Sequence, residues 1–168
     1  MKIELKNVKI IDELSEETTC FFADVFINGK KAAYAKNDGH GGCTFYHAYE
    51  NQHQLVAEAE KFCSQLPKQK VNFGDRIHEF AQSLETVIDD LVVEKGKEKE
   101  QKKIDKLCET QIVFGVPNGM TYRYVGFNGK PKLSDVKKTP QGRLALENLI
   151  NRIKKELREG EVIFNTNL

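Results

Sequence analysis

The chain has 168 residues, 39% apolar and 30% charged, with 26 Lys and Arg against 25 Asp and Glu. That length can bury a core without staples, and the near-even charge gives no support to a protein that coats DNA by bulk attraction. No apolar run nears the ~18 residues that cross a bilayer, and Met1–Lys6 alternates where a signal peptide would be continuously apolar. Cys20, Cys43, Cys63 and Cys108 lack paired spacing and suit reduced thiols in a cytosol.

Residues 2–11 set Ile3, Leu5, Val8 and Ile10 against Lys2, Glu4, Lys6 and Lys9, which is strand periodicity with a break near Asn7. Residues 12–17 are polar and predict a turn. Thr18 to Ile27 is β-branched and aromatic and predicts a second strand. Asn28-Gly29 is a strong two-residue hairpin signal, so Lys30 to Lys36 should return as a third strand. Strict alternation puts Ala32 with Tyr34 on one face and Ala33 with Ala35 on the other.

The least scaffold-like stretch follows: Lys36-Asn37-Asp38-Gly39-His40-Gly41-Gly42-Cys43-Thr44-Phe45-Tyr46-His47. Glycines in such a run can aim main-chain N–H groups at one anion. Asp38 and His40 bring titratable groups, and Thr44 and Tyr46 bring polar tips. The plainer reading is a wide turn in which Asn37 and Asp38 bond their own backbone. Phe45, Tyr46 and Tyr49 either close the edge of the core or line a place where a base can stack.

Gln54 to Leu66 predicts a helix with Leu55, Ala59, Phe62 and Leu66 on one stripe, ended by Pro67. A loop through Lys70 and Gly74 then leads to a long helix carrying Ile77, Phe80, Leu84, Val87, Ile88 and Leu91, with His78 on its outer surface. Residues 94–108 alternate in charge and read as a solvated helical connection that Gly96 breaks or bends. Gln111 to Val116 and Thr121 to Phe127 predict strands joined by Pro117-Asn118-Gly119. Asn128-Gly129 predicts a further hairpin into an edge strand over Lys130 to Leu133. Thr139-Pro140 opens the last helix, with Leu146, Leu149, Ile150, Ile153 and Leu157 buried and Gly160 as its stop. Val162 and Phe164 can add a final strand.

Together these predict one α+β domain over residues 1–168. Its antiparallel meander and C-terminal hairpin pack against three amphipathic helices.

Three chemistries suit the glycine-rich stretch. In a phosphate or nucleotide site, Gly41 and Gly42 donate N–H groups, His40 responds to pH, Tyr46 stacks, and Lys36, Asp38 and Thr44 complete the ligand-binding set. The pattern is neither a Walker phosphate loop nor a dinucleotide fingerprint. In a metal site, His40, Cys43 and His47, with His53 nearby, supply ligands at a spacing unlike a zinc finger. A metal-assisted hydrolase or nuclease would use Asp38, His40 and His47, while a cysteine nucleophile would pair Cys43 with a histidine. Separately, Arg143, Arg152, Lys155 and Arg158 form a basic side suited to nucleic acid. No catalytic signature is assembled, no cofactor is called for, and the leading expectation is a non-enzymatic binding protein.

Asn37-Asp38-Gly39-His40-Gly41-Gly42 after a strand-Asn-Gly-strand hairpin, and the closing Asn165-Thr166-Asn167-Leu168, resemble stretches of small uncharacterised proteins of bacteriophages and integrated mobile elements. The resemblance implies action in a bacterial cytoplasm. It also implies an accessory or counter-defence role; with the glycine-rich loop on a compact scaffold, the expectation is a protein that blocks a host protein or sequesters a nucleotide-like signal.

Overall fold

The computed structural model describes residues 1–74, 76–119 and 121–168, apart from the side chain of Phe73. The fold is mixed α+β, and the chain forms two compact units, Met1–Lys97 and Glu98–Leu168.

In the first unit, β1 (Ile3–Ile10), β2 (Phe21–Ile27), β3 (Lys30–Asn37) and β4 (Phe45–Ala48) form an antiparallel sheet in the order β1-β2-β3-β4. A single 3₁₀ turn covers Asp12–Leu14. Asn28 and Gly29 take φ of 49° and 81°, the left-handed pair that a two-residue hairpin of this twist requires.

Two bulges shape the sheet. One lies between Lys6 and Lys9, where Asn7 has φ 52°, and accounts for the break in alternation there. The other shifts the β2–β3 register between Val25 and Phe26, leaving Ala32 as the extra residue. Ala32 is therefore buried along with Ala33 and Ala35, not placed with Tyr34 as strict alternation requires.

One face of this sheet carries Leu5, Phe21, Ala23, Val25, Ile27, Ala33, Ala35 and Ala48 into the core. Helix α1 (His53–Ser64) lies against β2 and β3 and adds Val56, Ala59 and Cys63. The alanines of β3 leave room for that approach. Helix α2 (Leu84–Cys108) contributes Leu84, Ile88 and Val92. Burying each such side chain contributes about 1.5–3 kcal/mol.

The long helix starts later than its apolar pattern predicts. Residues 69–80 form a hairpin, β5 (Gln69–Phe73) with β6 (Arg76–Phe80), so Ile77, His78 and Phe80 belong to a strand. Ile77 is 68% exposed and packs on no core. The start is set by Ser83. Its Oγ accepts the Thr86 amide at 3.1 Å, and its own amide donates to Thr86 Oγ1 at 2.8 Å, a reciprocal cap. The helix then runs unbroken through Gly96.

In the second unit, β7 (Gln111–Gly115) pairs with β8 (Tyr122–Gly126) on one side and β9 (Val162–Ile163) on the other. No strand forms over residues 130–133. Lys130, not Asn128, takes the left-handed φ (47°), and Pro131 has no N–H for a ladder. The chain instead enters the short helix α3 (Leu133–Val136), whose buried Leu133 donates its amide to the Glu109 carbonyl at 2.8 Å. Helix α4 (Pro140–Glu156) has the expected cap: Thr139 Oγ1 accepts the Gly142 amide at 3.0 Å. Ile112, Phe114, Leu133, Leu146 and Ile153 make this unit's core.

The closing residues fasten that sheet. Asn165 Oδ1 accepts the Val113 amide at 2.7 Å, and its Nδ2 donates to the carbonyls of Gln111 (2.8 Å) and Cys108 (3.1 Å). Asn167 Nδ2 adds a bond to the Cys108 carbonyl at 3.3 Å.

Candidate binding surface

The glycine-rich loop joins β3 to β4 and is organised by buried Asn37. Asn37 Oδ1 accepts from Thr18 Oγ1 at 2.8 Å and the Gly39 amide at 2.9 Å. Its Nδ2 donates to the Gly42 carbonyl at 2.9 Å and Thr44 Oγ1 at 3.4 Å. The amides of Glu16, Glu17 and Thr18 converge, at 3.0–3.2 Å, on the Gly39 carbonyl oxygen. Gly39 sits at φ 91°, and a Cβ there would stand 2.1 Å from the Leu14 carbonyl oxygen, so only glycine fits.

The predicted ligand-binding residues separate. The Gly41 amide donates to Thr18 Oγ1 at 3.2 Å. Gly42 is exposed. Lys36 lies 3.6 Å from Asp38, and His40 Nδ1 lies 3.1 Å from Glu16 Oε2. Thr44 is buried. Tyr46 turns to the helix side, where its hydroxyl donates to Glu60 at 2.7 Å. Burial, then the Glu60 hydrogen bond and charge, push the Tyr46 hydroxyl up to about 12. His47 lies on the opposite face. Among the described residues no three His, Cys, Asp or Glu side chains gather as a metal would need, so His40, Cys43 and His47 do not form a ligand set.

Between the loop and α2 lies a cavity of about 210 Å³, lined by Thr18, Cys43, Thr44, Glu85 and Asp89 among others. The Thr44 amide donates to Glu85 Oε1 at 3.0 Å, and its hydroxyl donates to Asp89 Oδ1 at 2.5 Å. Burial raises the Asp89 pKa; the Thr44 bond opposes this, and the charges of Glu85 and Asp90 reinforce it. A cavity walled by carboxylates suits a phosphate poorly.

The sheet's other face is open. Its strand register sets three rows of side chains: Lys9-Phe22-Lys36-Phe45, Lys6-Asp24-Tyr34-His47, and Glu4-Phe26-Lys31. Phe22 and Phe45 are 43% and 50% exposed, large values for aromatic rings. Tyr34 is central, with ring centroids 6.0 Å from Phe22, 6.2 Å from Phe45, 5.8 Å from His47 and 6.1 Å from Tyr49. The Phe45 and His47 ring centroids lie 6.4 Å apart with the rings nearly parallel.

Asp24 is the acid beneath these rings, 5% exposed. Its carboxylate accepts from Asn7 (2.8 Å) and Tyr49 (3.0 Å) and pairs with Lys31 at 3.0 Å. Burial would raise its pKa, but these three hydrogen bonds and the Lys31 charge outweigh it and hold the carboxyl below the usual range. Lys31 also sits over the Tyr49 ring, and Lys6 lies 4.2 Å from the Phe26 centroid. Among the described residues, Lys6 and Lys9 have no carboxylate partner.

Sequence reading singled out Lys36, Tyr46 and His47 but missed Phe22, Tyr34, Lys6 and Lys9. The available signal was the alternation Phe22-Asp24-Phe26, Tyr34-Lys36 and Phe45-His47 along three strands; Lys6 and Lys9 lie across the β1 bulge, where alternation fails. In the second unit, the four basic residues do not gather on one face, although Arg152 and Lys155 are helix neighbours. Arg143 donates to the Lys137 carbonyl at 2.8 Å, and Arg158 lies beyond the end of α4. Nine residues separate Arg143 from Arg152, about two and a half turns, which sets them on opposite sides. No protein-family model, curated protein or solved structure matches the chain.

Proposed function

We propose that this chain is a non-enzymatic binding protein whose recognition surface is the open face of the β1–β4 sheet. The observation that carries this is the cluster of exposed rings around Tyr34. A chain that buries Ala32, Ala33 and Ala35 while leaving Phe22 and Phe45 in water has apolar surface to cover. Aromatic residues of this kind dominate binding energy where partners meet.

The resemblance of the Asn37–Gly42 stretch and the Asn165–Leu168 ending to mobile-element proteins supports an accessory, counter-defence role in a bacterial host. Four free cysteines suit its cytoplasm. We place recognition on the sheet face because the Gly39 and Gly41 amides already have intramolecular acceptors. Lys36, on β3, lies on the face between Phe22 and Phe45 and 3.6 Å from Asp38 of the loop.

The double variant Phe22→Ala/Phe45→Leu tests this reading. Both rings are exposed, so the fold should survive, while a partner retained from bacterial extract should be lost at least about tenfold. Equal retention by the folded variant contradicts it.

A further inference from the structure

Building on that reading, we infer that the open face binds single-stranded nucleic acid, with Phe22, Tyr34, Phe45 and His47 stacking bases and Lys6, Lys9 and Lys36 meeting phosphates. Three observations favour a polynucleotide over a protein.

First, the rings sit on adjacent strands β2, β3 and β4, with neighbouring centroids 5.8–6.4 Å apart. Four strands at ~4.8 Å spacing give a platform roughly 14 Å wide, enough for a few splayed bases. Every base has a π-face, so such a platform accepts them without reading sequence.

Second, lysine and ring alternate along one row, Lys9-Phe22-Lys36-Phe45. A chain of bases joined by phosphates needs that alternation; an apolar protein partner does not.

Third, the face's acids are already held. Asp24 is buried and paired with Lys31, Glu4 is 3.0 Å from Lys2, and Asp38 at the edge of the face lies 3.6 Å from Lys36, whose side chain a phosphate would share with it. Lys6 and Lys9 are exposed without carboxylate partners among the described residues, leaving uncompensated positive charge. Duplex DNA is a poor fit because its bases are stacked on each other and offer no free faces.

The test is fluorescence anisotropy with labelled oligo(dT) and oligo(U) of about 12 nucleotides, and a blunt duplex, against the full chain. We expect single strands to bind in preference to the duplex. Preference for oligo(U) over oligo(dT) would identify RNA, and the reverse DNA.

Phe22→Ala and Phe45→Leu should each weaken binding about 5–150-fold. Three phosphate-contacting lysines predict a roughly 10–20-fold loss between about 50 and 200 mM salt, and Lys9→Ala should cut that to about sevenfold. Circular dichroism confirms that each variant is folded.

Three results would overturn the inference: no single-strand binding at about 50 mM salt, equal affinity for duplex, or binding indifferent to Phe22 and Phe45. If oligonucleotides fail but Phe22→Ala/Phe45→Leu still releases a protein partner, the ligand class is wrong and the binding face stands. If neither changes, both readings fall.

Discussion

Asn37 shows how one side chain can hold a loop that glycine alone would leave loose. It joins Thr18, Gly39, Gly42 and Thr44. Truncation leaves donors and acceptors without partners in a buried place, so Asn37→Ala should cost about 2–3 kcal/mol in urea unfolding. A loss under about 0.5 kcal/mol would show that water replaces those bonds. Sequence reasoning identified the loop's residues and offered a turn built on Asn37 as one reading. It did not see that residues 16–18 would supply amides to Gly39, because those contacts join segments over twenty residues apart.

Asp89 makes a second residue-scale case. A carboxyl whose pKa is raised in the folded chain binds protons more tightly there than in the unfolded chain. Stability is therefore greatest in acid and falls as pH climbs from the ordinary carboxylate range through the raised value. Asn at this position still accepts the Thr44 hydroxyl but never ionises. Asp89→Asn should thus melt higher than the parent near pH 7, with the gap closing toward about pH 4. A parent that melts higher at neutral pH contradicts the burial that raises this group.

At the scale of elements, most helices and strands were legible, and the failures have physical causes. Ile77 and Phe80 matched the helical spacing of Leu84, Ile88 and Leu91, so periodicity extended the helix backward. The stop signal was Ser83 with Thr86, a capping pair using threonine where glutamate or glutamine is usual. Asn128-Gly129 resembled Asn28-Gly29, yet Pro131 and buried Leu133 turned the chain into a helix.

The β2–β3 bulge was not legible at all. Counting from the Ile27–Lys30 pair without it, Phe22 would face Ala35; with it, Phe22 faces Lys36 and Tyr34 faces Asp24. One extra residue thus decides which side chains share the open face. Gly96 teaches the converse. It stays helical, and an added Cβ would meet only Ile10 Cδ1 at 3.6 Å, ordinary contact. Gly96→Ala should therefore stabilise by about 0.5–1 kcal/mol in chemical denaturation; destabilisation would mean that the helix needs to bend there.

For the molecule as a whole, each compact unit has its own core and its own fastening. The first places helices on one face of its sheet and leaves rings and lysines on the other. The second closes its three strands with Asn165 and Asn167, which gives the chain's closing motif a structural task. The central claim is that the open face of the first unit, not the loop beside it, meets the partner. Retention of partner by Phe22→Ala/Phe45→Leu, measured beside the parent and a His40→Ala control in the same extract, tests this most directly. The account predicts loss in the double variant and full retention in the control; loss in the control alone would contradict it.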